Sequence, residues 1–145
     1  MVKEFSIISE LREVRKKKSW LSEREHELAV PILTDIELIP VIYGWFSDIL
    51  SNMDFPPCLD SVLQRKKFLY IILFLFAPST LAGGRMPNGI RKSLEDLFSH
   101  VRPCTISNNV ADTVFFYQQY KDFRADIDNI YIQIMDRLKA KGLIK

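Results

Sequence analysis

Residues 90–123, IRKSLEDLFSHVRPCTISNNVADTVFFYQQYKDF, hold two helical patterns separated by a short break, and the rest of the chain can be read outward from them. In the first, Ile90, Leu94, Leu97 and Phe98 recur at three- and four-residue steps, the spacing of one buried stripe, while Arg91, Lys92, Glu95 and Asp96 take the other side. The pattern stops over Ser99-His100-Val101-Arg102. Pro103 then fixes a φ suited to the first position of a new helix and prevents smooth continuation of the old one, so a second helix is predicted to start there. Its inward stripe is predicted as Ile106, Val110, Val114 and Tyr117. At about 100° per residue, Thr105, Asn108, Asn109 and Asp112 gather on the opposite arc.

This segment resembles the helix-turn-helix DNA-binding proteins. The resemblance is carried by SLEDLF (93–98), the turn, and CTISNNV (104–110), which is similar to the family's spaced leucines followed by Thr-Val/Ile-Ser; Ser99-His100 stand where the family often has glycine. It implies a recognition helix from Pro103 to Tyr117 lying in the major groove of double-stranded DNA. Asn108 and Asn109 would offer amides that suit adenine, and Thr105 would touch a base or a phosphate. Arg85, Arg91, Lys92 and Arg102 would hold the phosphate backbone. Asn and Thr near a helix start also serve local backbone hydrogen bonds, so readout and capping stay open for those residues. The chain is loosely similar to small proteins of phages and mobile elements, which implies a transcriptional regulator or accessory protein. The alternative is a non-enzymatic structural or assembly protein, a homo-oligomer included, acting through protein contacts. Phe115, Phe116, Tyr117, Tyr120 and Phe123 would then serve an interface, where core packing is their other use.

Composition agrees with a folded helical chain. At 145 residues, 48% apolar and 26% charged with only 5 glycines, the sequence suits a compact all-α bundle. Helical periodicity runs almost throughout and no segment keeps a period of two. The net charge of +2 is unevenly spread. Residues 1–60 carry 7 Lys/Arg against 11 Asp/Glu, residues 61–84 carry 3 against none, and residues 85–145 carry 10 against 7. The modest positive balance of the second half favours phosphate backbones. Cys58 and Cys104 are too far apart in sequence to begin a zinc ligand set, and no metal or cofactor site is expected. No nucleophile–base pair or cofactor loop appears, so neither an enzyme nor a small-molecule substrate is indicated. Without a signal-peptide-like start the expected location is cytoplasmic.

Elsewhere, residues 2–19 read as a first helix ending in Arg15-Lys16-Lys17-Lys18, and Ser22 with Glu25 as a capping box opening a second, broken near Pro31. Alternating Glu23, Glu25 and Glu27 do not share a helix face, which makes them a solvated surface rather than catalytic carboxylates. Residues 41–52 are predicted as a helix docking Ile42, Trp45, Phe46 and Ile49. Pro56-Pro57 marks the best internal break, giving segments 1–60 and 61–145 or else one domain over 1–145. Asp60 or Ser61 would cap a helix containing FLYIILFLF (68–76), whose nine apolar residues are too few to span a bilayer and so predict a central core helix. Residues 78–89 are the longest predicted loop; their Gly83-Gly84 lacks the Gly-Lys-Ser/Thr of a phosphate-binding loop. A last helix, with Asp122 able to cap it, places Phe123, Ile127, Ile130, Ile134 and Leu138 on one stripe and stops at Gly142.

Overall fold

The computed structural model describes residues 3–59, 61–99 and 101–144, and among these there are helices and connections but no strand. After a 3-10 turn at Lys3–Phe5 come α1 (Ser6–Leu28), α2 (Leu38–Ser51), α3 (Val62–Phe76), the single turn α4 (Pro78–Leu81), α5 (Asn88–Leu97), α6 (Pro103–Gln119) and α7 (Lys121–Ala140). The all-α expectation is met. Contacts divide the chain into two units, one up to Val30 and one from Pro31 onward.

The first unit is α1. Two helices were expected here, and one continuous helix forms instead, because neither proline nor glycine interrupts residues 2–30. Ser22 sits inside it, where the amides a capping side chain would serve already have carbonyl partners one turn back. The helix stops short of Pro31, which biases the residue before it away from helical backbone. None of its residues is buried. Surface pairs one turn apart, Glu13–Lys16 at 4.0 Å and Arg24–Glu27 at 3.1 Å, give it modest local support.

The second unit is built around α3, which packs against α2, α4, α6 and α7. Phe68, Leu69, Ile71, Ile72, Leu73, Leu75 and Phe76 are all buried, as predicted for a helix apolar on nearly every side. Ser61 supplies its cap by accepting the Gln64 amide at 3.3 Å; Asp60 lies outside the described residues. The boundary expected near residues 53–60 moves to residue 30, because α2 brings Ile39, Ile42, Phe46, Ile49 and Leu50 into the same core. Pro56-Pro57 is therefore a loop within the unit and not a linker. Helix α2 also begins before Pro40, since a first-turn residue has no intrahelical amide bond to lose.

Along α7, the whole predicted stripe, Phe123, Ile127, Ile130, Ile134 and Leu138, is buried. Gly142, at φ +71°, ends the helix with its amide bonded to Lys139 O and that of Leu143 to Leu138 O. The expected loop after α3 is partly helical, and its return is closed by the Gly84 amide on Ser79 O at 2.8 Å. A Cβ on Gly84 would stand 2.8 Å from that oxygen, so the turn requires glycine.

One charged side chain is sealed within α3's packing. Lys67 is 5% exposed and its Nζ donates to Asp126 Oδ2 at 2.7 Å, while the Asp126 side chain remains 49% exposed. The two partners are therefore unequal. Replacing Asp126 with alanine strands a buried ammonium and should cost about 2 kcal/mol, whereas Lys67→Met leaves a carboxylate that water still reaches and should cost under about 1 kcal/mol. Urea denaturation of both variants and of the double variant checks this; the double variant should recover most of the Asp126→Ala loss.

Candidate nucleic-acid interface

Helix α5 faces inward through Ile90 and Leu94, and its chain then turns at Phe98. The Phe98 amide bonds Leu94 O at 2.8 Å, and the Val101 amide bonds Phe98 O at 2.8 Å; His100, within the expected turn, lies outside the described residues. The Phe98 ring holds the turn down, 6.1 Å from Phe68 and 5.9 Å from Tyr43 in edge-on contacts. Pro103 opens α6 at its first turn as the sequence predicts, and no side chain caps that end. Pro103 has no amide hydrogen and the Thr105 amide bonds Arg102 O at 2.9 Å, so the positive end of the helix dipole, beside the exposed Arg102, is what this end offers.

The inward line of α6 runs Ile106, Val110, Thr113 and Tyr117, with Thr113 in the place predicted for Val114. Steps of four, three and four residues keep one line facing α3 and α7. Thr113 is fully buried because its hydroxyl donates to Val110 O at 2.7 Å, leaving a methyl to pack. Val114 turns toward a shallow hollow beside Thr80, Leu81 and Gly84.

On the outer arc Cys104, Asn108, Ala111, Asp112 and Phe115 are exposed. The predicted grouping of Thr105, Asn108, Asn109 and Asp112 holds for Asn108 and Asp112, while Thr105 and Asn109 are half-buried. Asn109 borders a small recess with Arg65, Leu69, Phe98 and Val101. Neighbouring helical residues diverge by about 100°, so the two asparagines do not present their amides together.

Of the expected backbone-binding cations, Arg85, Lys92 and Arg102 are exposed. Arg91 is half-buried with a buried Nε that has no hydrogen-bond partner. Helix α6 itself contains no Lys or Arg and one acid, Asp112. Positive charge reaches its flank from α3: Lys66 Nζ lies 3.9 Å from Asp112 Oδ2 and 4.5 Å over the Phe116 ring, and Arg65 lies by Asn109. Arg65 and Lys66 were not among the expected site residues. Their only sequence signal is a basic run just before the apolar segment, which takes its meaning once α6 is laid against α3.

The far end of α6 points the other way, into a cleft. The Tyr117 hydroxyl donates to Asp128 Oδ1 at 2.7 Å and its ring stacks on Tyr70 at 4.7 Å and 8°. That hydrogen bond, with burial and the carboxylate charge behind it, pushes the Tyr117 phenol up to about 12. Burial raises the phenols of Tyr70 and Tyr131 as well.

Both cysteines are free and exposed, and among the described residues no three metal-ligating side chains gather. None of the described helices is long and apolar enough to cross a membrane. Comparison with protein-family models, curated proteins and solved structures finds no match to this chain.

The Tyr117 phenol has its folded pKa raised, so its contribution to stability is complete below the ordinary value near 10 and is lost as pH climbs toward about 12. In an ultraviolet phenolate titration, Tyr117 should be among the last of the 5 tyrosines to ionise. Asp128→Ala should return it toward the ordinary value and flatten the alkaline stability loss in that window.

Proposed function

We propose that the protein is a small DNA-binding protein, a transcriptional regulator or accessory factor, that reads double-stranded DNA with the N-terminal half of α6. The observation that carries this reading is an exposed helix start after a pinned turn, with Arg102 at its cap and Asn108 projecting outward. An uncapped helix N-terminus beside an arginine attracts phosphate. Asn108 has the donor–acceptor pair that matches the adenine edge in the major groove. Exposed Arg85, on the loop that borders α6, adds a second phosphate contact, and Lys92 a third. Asn109 and Thr105, being half-buried, are not assigned base contacts.

A second reading has its own support. The same arc carries Asp112 and the exposed ring of Phe115, whose neighbour Tyr120 lies 6.1 Å away edge-on and is exposed as well. An apolar, faintly acidic strip of this kind suits contact with protein in an assembly role.

Fluorescence anisotropy with a labelled mixed-sequence duplex separates the two. With three to four phosphate contacts, affinity should fall by about a hundredfold between about 50 and 200 mM salt. Arg102→Ala and Arg85→Ala should each lower the salt slope by about one. Asn108→Ala should leave non-specific binding and remove sequence preference. Absence of binding at low salt, with concentration-dependent oligomers seen by sedimentation without DNA, overturns the DNA reading in favour of assembly.

A further inference from the structure

Between α3, α6 and α7 lies a cleft of about 170 Å³, walled by Tyr70, Phe74, Tyr117 and Tyr131, with Asp128 at its rim. The buried Ile71 and Ile127 close it below. Its volume is on the scale of a cavity that holds benzene. Phe74 and Tyr131 meet at right angles, ring centres 5.5 Å apart and planes at 86°, giving two perpendicular aromatic walls.

Asp128 is the one charged residue among the described residues that line the cleft. Asp128 forms no ion pair with lysine or arginine among the described residues, and the Tyr117 hydroxyl fixes one of its oxygens. Arg124, one turn back on α7, lies with its guanidinium 5.8 Å from the centre of the Tyr117 ring. Its Nε donates to Tyr117 O at 2.9 Å and its Nη2 to Gln118 O at 2.6 Å, so it caps the end of α6. With their phenols raised, the tyrosines stay neutral at physiological pH and keep electron-rich ring faces.

We infer that this cleft binds an alkylammonium head group, with Phe74 and Tyr131 against its methyl groups and Asp128 balancing its charge. A primary ammonium wants several hydrogen-bond acceptors, and the rim offers one carboxylate already shared with a hydroxyl. A quaternary ammonium donates no hydrogen bonds and spreads its charge over carbon, which matches aromatic walls and one fixed anion. A neutral ligand of the same shape would leave the carboxylate without a counter-charge.

The test is calorimetric titration of the full chain with choline and with its neutral isostere, in which a tert-butyl group replaces the trimethylammonium. Choline should bind saturably and the isostere at least about tenfold more weakly. Asp128→Asn keeps an acceptor for Tyr117 while removing the charge, and should weaken choline about tenfold; Tyr131→Ala should weaken it similarly. Phe55→Ala, at an exposed ring away from the cleft, should change nothing. Circular dichroism establishes that each variant is folded. A trimethyl-lysine peptide that binds more tightly than choline identifies a modified protein tail as the source, and equal or weaker binding identifies a free solute. Equal affinity for choline and the isostere, no saturable binding of either, or unchanged choline affinity in folded Asp128→Asn overturns the proposal.

Discussion

A helix with apolar side chains around most of its circumference has no stable place in water until other helices enclose it. Helix α3 imposes that demand on everything from Pro31 onward. Its residues 68–76 present only Phe74 substantially to solvent, so α2, α4, α6 and α7 must each cover a sector. Fully burying one such aliphatic or aromatic side chain stabilises by roughly 1.5–3 kcal/mol, and α3 supplies seven between Phe68 and Phe76. No surface ion pair among the described residues works on that scale. The packing is specific because the enclosing faces are matched: α7 offers an unbroken isoleucine stripe, α2 places Phe46 5.3 Å from Phe68, and Lys67 finds Asp126.

Enclosure also explains why α6 has two unlike ends. Its middle is held against α3 by Ile106 and Thr113, and its start is fixed by the turn that Phe98 ties to the Phe68 and Tyr43 rings. The first turns therefore stand at the edge of the core with Asn108 outward. At the other end, Tyr117 leaves the apolar line with a hydroxyl that needs a partner, and Asp128 of α7 provides one. A polar arc and an aromatic cleft thus share one helix without sharing residues.

Much of this was legible in the sequence where a single physical rule governs. The α7 stripe was readable because a regular four- and three-residue repeat admits one buried face, and the start of α6 because Pro103 can stand in a helix only near its beginning. The central role of FLYIILFLF followed from length and hydropathy alone. What failed depended on competition between rules or on neighbours distant in sequence. A capping box at Ser22 is a permitted helix start, yet an uninterrupted helix lets the same residues serve as interior positions. Pro56-Pro57 signals a turn, but whether a turn divides domains depends on what α2 packs against. Thr113 displaced Val114 because its hydroxyl is satisfied within the helix, which no hydropathy scale anticipates. Of the candidate site residues, the exposure of Asn108 was readable from periodicity; the half-burial of Asn109 was not, since it borders a recess it shares with Arg65 and Val101, which lie on other elements.

The distribution of charge around α6 carries a further consequence for how the outer arc can work. With no cation on the helix itself, an attractive field has to be assembled from α3, the loop before α5 and the helix dipole. Lys66 contributes little to an approaching phosphate, because its head is largely buried and divided between Asp112 and the Phe116 ring. Arg102 and Arg85 are more open, and they stand on separate connections. Attraction built from so few exposed charges decays within about one Debye length, roughly 8 Å at physiological salt. On the DNA-binding role proposed above, it would position a duplex already close by, without steering it from a distance. In that proposed role, discrimination would come from short-range hydrogen bonding by Asn108 and from the shape of the α5–α6 turn, and that turn rests on Phe98 remaining seated against Phe68.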